Sequence, residues 1–254
     1  MTAASVKQLT ELSTIYQRLS TGRRINSAAD DAAGFAISEK LGALANGLDK
    51  ATDNARDMQN LLRTAEGGLN TINDSLLRIR ELGVQASNGI YNDSDRALIQ
   101  MEVDQMLDHI RTAARDTEFN TMKLLDGSFA NKNVASNPSG TGMTISIEDT
   151  SLATLGVQGF NVTGSFDLSV IDAALEKVND ARSKIGAQQN ALEYTINANE
   201  TAYVNQMQAL SRIADADIGK ESMRLSTANV LNEARVYMQK EQMNRAGSML
   251  NLLG

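Results

Sequence analysis

Apolar residues in this chain recur alternately four and three positions apart over very long stretches, and that period restricts the possible folds more than any other feature. Met58, Leu62, Ala65, Leu69, Ile72, Leu76 and Ile79 keep it without a break, which is the seam of a helix packed lengthwise against others. Ile99, Val103, Met106, Ile110 and Ala113 repeat it on a second helix. The longest seam steps from Ile171 through positions 175, 178, 182, 185, 189, 192, 196, 199, 203, 206 and 210 to Ile213. Nine of its thirteen positions are apolar, the exceptions being Arg182, Gln189, Asn199 and Gln206. A single helix over this span is about 65 Å long, too extended for one compact core. The period therefore predicts a mostly α fold: long antiparallel heptad helices forming a rod-like bundle.

Composition agrees and removes most catalytic chemistry. With no cysteine, thiolate nucleophiles, disulfides and thiolate metal sites are excluded. The one histidine, His109, cannot supply a two-histidine metal signature, so neither a metal nor a cofactor is expected, and no catalytic residue is assigned. A net charge of −7 argues against nucleic acid or an anionic membrane surface as partner. No apolar run is long enough for membrane insertion, and no cleavable signal peptide opens the chain.

Breaks between the seams are legible. SNGIYNDSD (87–95) interrupts the first with Gly89 and offers Asp93 or Ser94 as an N-cap for the next helix, which predicts an antiparallel hairpin. Residues 126–166 are rich in glycine and hold the only proline, and the alternation Met143, Ile145, Ile147 marks a short strand, so a small β-hairpin-containing central segment is expected.

The chain ends form a matched pair. Leu9, Leu12, Tyr16 and Leu19 step along one helix, and Leu231, Ala234 and Met238 step along another. Thin stripes of this kind are marginal alone and gain stability by packing as terminal coiled-coil helices with copies of themselves. On the first long helix, Arg78 and Leu82 take heptad positions c and g, beside the seam, and Glu102 takes a g position on the next. An Arg, a Leu and a Glu displayed along a flank suit contact with a neighbouring molecule.

Other residues have plainer readings. His109 adjoins the seam residue Ile110 and is a flank residue. Asp30 and Asp31 serve as N-cap and helix-dipole elements for a helix beginning near Ala32. Asn73, Asn92, Asn161 and Asn199 match a glycosylation acceptor pattern that is frequent by chance. The eleven methionines are adaptable packing residues.

Four blocks resemble bacterial flagellin, in that family's order: RLSTGRRINSAADDAAGFAISEKL (18–41), TAEGGLNTINDSLLRIRELGVQASN (64–88), TEFNTMKLLDGS (117–128), and Ile171 to Gly254. The resemblance implies a minimal flagellin lacking large outer domains. It divides the chain into residues 1–34 (part of an inner coiled-coil domain plus linker), 35–166 (part of a rod domain with a short central β segment), 167–210 (the rod's C-terminal helix) and 211–254 (the rest of the inner domain). It implies a structural subunit that polymerises with itself into the extracellular flagellar filament. Its further implied partners are the flagellar export apparatus and cap, an export chaperone at Leu225–Leu253, and the innate immune receptor TLR5, which would read Arg78, Leu82 and Glu102. Leu77 stands where the family often has Gln, and the opening MTAASVKQL is shorter than the family's usual start. A hook-filament junction protein shares the terminal heptads, although RINSAADDAAG and RIRELGVQ favour the filament subunit. A soluble helical binding or chaperone module is the reading from another class, and assembly into filaments separates it from the first. An enzyme-bearing flagellin is excluded by the short centre.

Overall fold

The computed structural model describes residues 3–253, and side chains over 10–248. Among the described residues there are six helices and four short strands: α1 (Ala3–Thr21), α2 (Ala32–Ala86), α3 (Asp93–Asp116), β1 (Glu118–Phe119), β2 (Met122–Lys123), β3 (Lys132–Val134), β4 (Met143–Ile145), α4 (Leu152–Leu155), α5 (Ser169–Ala214) and α6 (Ile218–Leu253). The chain divides into two compact units, residues 46–203 and residues 1–45 with 204–254. Both divisions fall inside helices, α2 and α5, close to the boundaries at 34/35 and 210/211 that the resemblance implied.

In the 46–203 unit, one core draws on α2, α3, α5 and the segment between α3 and α5. The α2 seam is the centre of it: Leu62, Ala65, Leu69, Ile72, Leu76 and Ile79 are all completely buried. On α3 the burial falls on Leu107 and Ala114, one residue beyond the Met106 and Ala113 expected. On α5, Ala174 and Ala181 are buried in place of Leu175 and Arg182. A straight helix drifts about 20° per heptad from a strict 3.5-residue repeat. The methyl side chains of Ala174 and Ala181 also let a neighbouring helix come close, a preference that counting large apolar residues overlooks. Cross-links fix the direction of packing: Arg80 Nε donates to Asp172 at 2.6 Å, Gln189 Nε2 donates to Glu66 at 3.1 Å, and Arg56 pairs with Glu200. As the α2 partner number rises the α5 number falls, so the two helices are antiparallel.

Helix α3 begins with a reciprocal capping box. Asn92 Oδ1 accepts from the Asp95 N–H (2.9 Å) and Asp95 Oδ2 accepts from the Asn92 N–H (3.1 Å). The cap is Asn92, not the Asp93 or Ser94 expected; those occupy the first turn, where Asp93 and Asp95 complement the helix dipole. After α3 the chain makes two antiparallel hairpins, β1–β2 and β3–β4. The β1–β2 turn places Asn120 and Thr121 at φ 47° and 64°, the two positive dihedrals of a two-residue hairpin. The strand expected at Met143 and Ile145 is β4, with Lys132 opposite Ile145 and Val134 opposite Met143. Asn54 and Asn199 then moor this hairpin to α2 and α5, their Nδ2 groups donating to the carbonyls of Ala135 (3.0 Å) and Ser136 (2.9 Å).

In the other unit, the RRINSAADD block forms a clip. Gly22 adopts φ +69°, and the chain then pairs with the α5–α6 junction: the Arg24 N–H donates to the Ala214 carbonyl (2.7 Å), the Ala216 N–H to the Gly22 carbonyl (2.8 Å), and Arg24 Nη2 to the Ile213 carbonyl (2.5 Å). Of the two aspartates expected to cap α2, only Asp31 does so. Asp31 Oδ1 caps α2 by accepting from the Gly34 N–H (2.9 Å), while Asp30 Oδ2 accepts from the N–H groups of Asn26 (3.0 Å) and Ser27 (2.9 Å) and from the Ser27 hydroxyl (3.1 Å). Gly34 is needed here, since a Cβ would stand 2.6 Å from Ile25 Cδ1 and 2.5 Å from Asp31 Oδ2.

The Asn26 N–H first, and then Ser27, hold the Asp30 carboxyl below its ordinary value of 3.8. A carboxylate with a depressed folded-state pKa contributes stability that is present above the unfolded value and lost as pH falls through the folded one. The clip is therefore expected to loosen on acidification below about pH 4. Asp30→Asn, which keeps an acceptor but does not titrate, should flatten that part of the pH dependence in hydrogen exchange of the Arg24 and Ala216 amides. An unchanged profile would show that Asp30 does not control the clip.

Candidate assembly surfaces

The first surface is the flank where α2 meets α3. Arg78 projects from α2 and binds Glu102 of α3 through Nε (2.7 Å) and Nη2 (2.6 Å), while Nη1 donates to Glu81 at 3.0 Å. Arg78 and Glu102 are about half exposed, and Glu81 more so. The Glu102 hydrogen bond, followed by that to Glu81, raises the guanidinium above the ordinary arginine pKa. An exposed ion pair adds little to fold stability. What it does is hold the flat guanidinium fork in one orientation at the surface.

Leu82 does not share this flank. It is 2% exposed and belongs to the core, which corrects its placement beside the seam. Helix α2 packs against both α3 and α5, so its apolar arc is wider than two heptad positions and takes in the g position that Leu82 occupies. Arg78 and Glu102 are brought together as expected; Leu82 lies beneath. Near them, Leu77, Leu98 and Met101 are the exposed apolar side chains.

The second surface is the terminal pair. Helices α1 and α6 pack on each other, and between them runs a groove of about 900 Å³ lined in part by Ile15, Arg18, Met223, Arg224 and Leu231. Leu12 and Leu19 are half-buried, while Tyr16 is 52% exposed. The side chain of Leu9 lies outside the described ones. On α6, Leu231, Ala234 and Met238 are exposed, together with Val230, Val236 and Tyr237. At the root of the pair, Glu221 is buried, with Arg224 Nη1 at 2.8 Å and Arg18 Nη1 at 3.6 Å from its Oε1. A buried carboxylate between two guanidiniums ties the start of α6 to the end of α1. Neither this group nor the backbone clip was anticipated from the sequence. A Glu in the first turn of a helix looks like any dipole partner, and backbone pairing leaves no side-chain signature.

Among the described residues, no helix is long and apolar enough to cross a membrane. Long helices with buried seams, and a terminal pair that leaves many apolar side chains exposed, define a helical structural protein. Comparison with known families gives the same answer: residues 1–130 match the bacterial flagellin N-terminal helical region and residues 168–253 the C-terminal helical region. The chain belongs to the bacterial flagellin family, a family of structural proteins. It is 37% identical to the flagellar filament core protein flaB2 of Brachyspira hyodysenteriae, over 94% of this chain and 92% of the relative. It is 38% identical to a flagellin of Halalkalibacterium halodurans, over 93% of this chain and 90% of that one. A structure of a putative flagellar hook-associated protein from Vibrio parahaemolyticus shares the fold at 18% identity, with a TM-score of 0.60 over 73% of this chain and the whole of that one.

Proposed function

We propose that this chain is the subunit of a bacterial flagellar filament that drives motility, secreted through the flagellum's own export apparatus and added at the tip beneath the cap. The single observation that carries this reading is the exposed apolar surface of α6, where Val230, Leu231, Val236, Tyr237 and Met238 are each more than half exposed. Such a surface is stabilised by burial against further copies. On this reading α1 and α6 form the inner assembly element, α2, α3 and α5 form the rod domain, and the Arg78–Glu102 flank touches a neighbouring protofilament. Before export, a chaperone covers Leu225–Leu253. Electron microscopy of the purified chain after salt-induced assembly tests the proposal. Long filaments are expected, and monomers or short dimers under all conditions would overturn it.

The same flank serves as the monomer's contact for TLR5, so receptor binding and assembly compete for one surface. Arg78→Ala is expected to weaken binding of the soluble chain to the receptor ectodomain by roughly tenfold or more and to slow filament growth. Substitution of the exposed Asn70 should do neither. Unchanged receptor affinity for Arg78→Ala would remove this contact.

A further inference from the structure

The turn between α2 and α3 carries a chemical liability that neither assembly nor packing explains. The chain contains two Asn-Gly dipeptides, Asn46–Gly47 and Asn88–Gly89, and they sit in opposite environments. Asn46–Gly47 is inside helix α2, with Gly47 packed so that an added Cβ would stand 3.0 Å from Pro138 Cβ. Asn88–Gly89 lies in the exposed turn after α2, where a Cβ on Gly89 would meet nothing within 4 Å. The turn also shapes Asn88 itself. Its carbonyl accepts from the Tyr91 N–H (3.2 Å), and its side-chain Oδ1 accepts from the Ile90 N–H at 3.3 Å. That side-chain turn folds the amide forward over the Gly89 peptide, and the hydrogen bond polarises the Cγ carbonyl. Among the described residues the Gly89 N–H donates to no acceptor.

We propose that Asn88 is a self-modification site, converted by attack of the Gly89 backbone nitrogen on its side-chain amide. The Gly89 nitrogen gives its proton to a solvent base and forms a bond to Asn88 Cγ. The bond from Cγ to the side-chain nitrogen breaks, and that nitrogen takes up a proton and leaves as ammonia. The resulting five-membered imide is opened by water at either of its two ring carbonyl carbons. One product is aspartate and the other isoaspartate, in which the backbone runs through the former side chain. No oxidant, metal or enzyme is required. Either product adds a carboxylate to a turn that leads directly into Asp93 and Asp95 of the first turn of α3, and isoaspartate lengthens the backbone by one atom where Asn88 accepts from Tyr91. The turn thus records the age of each subunit.

Asn46 can react only when α2 opens locally, whereas Asn88 needs no unfolding, so conversion at Asn88 should exceed that at Asn46 by on the order of tenfold or more. The test incubates the whole chain in warm, mildly alkaline buffer and follows two tryptic peptides, residues 81–96 and 41–50, by mass spectrometry with fragment assignment. Isoaspartate is confirmed by isoaspartyl-specific carboxyl methylation. Gly89→Ala has room for its methyl group, keeps Asn88 exposed, and should suppress the conversion while leaving the thermal midpoint unchanged. Equal conversion at Asn46 and Asn88, or an undiminished rate in Gly89→Ala, would overturn the proposal.

Discussion

Leu82→Ala is expected to lower the unfolding free energy of the monomer by about 3 kcal/mol, the usual cost of emptying a leucine site in a packed core. Arg78→Ala, one helical turn earlier on α2, should leave the monomer's denaturation midpoint almost where it was. The contrast follows from burial. Leu82 is 2% exposed and packs in the core shared by α2, α3 and α5, while Arg78 is half exposed and bonded only to the surface carboxylates Glu102 and Glu81. Urea denaturation of the two variants, each measured as monomer, separates a residue that maintains the rod from one that meets a partner. A Leu82→Ala midpoint indistinguishable from the parent would return Leu82 to the surface.

Gly142→Ala should be as damaging, for a different reason. A Cβ at this position would stand 2.0 Å from the Val134 carbonyl oxygen, 2.4 Å from Ser136 Oγ and 2.7 Å from the Ser136 nitrogen. Two of these are backbone atoms of the facing strand and the segment that follows it, so they cannot move aside as a flexible side chain could. The β3–β4 pairing must open, and with it go the buried Val134 and Ile145 and the moorings of Asn54 and Asn199. A loss of about 3 kcal/mol is expected, with amide protection disappearing first at β3 and β4. Gly164→Ala is the matched control, because its Cβ would enter open space. Retained protection of the hairpin in Gly142→Ala would mean that the close approach is relieved more cheaply than the geometry implies.

The seam of α2 was legible in the sequence because its large apolar residues are also the buried ones. On α5 the four-then-three step passed through Leu175 and the exception Arg182, while the core took Ala174 and Ala181: counting large apolar residues passes over small ones that pack. Leu82 was misplaced by a related error, since two heptad positions describe a helix with one neighbour and α2 has two. The N-cap of α3 moved to Asn92 because the capping box needs an acidic partner three residues on, which Asp95 supplies. Asp30, expected to serve the same helix as Asp31, instead accepts from Asn26 and Ser27 in the turn before it, whereas the capping function of Asp31 was readable because helix capping is local. The clip and the Glu221 contact were not, since each depends on segments almost the whole chain apart.

That separation has a consequence for how the protein is made. Arg24 donates to a carbonyl 189 residues further along the chain, and α1 packs on a helix that begins later still, at Ile218. A ribosome releases α1 early and α6 late. For most of the synthesis that separates them, therefore, Ile15 and Leu19 have no α6 to lie against, and α1 is completed only when α6 follows it out.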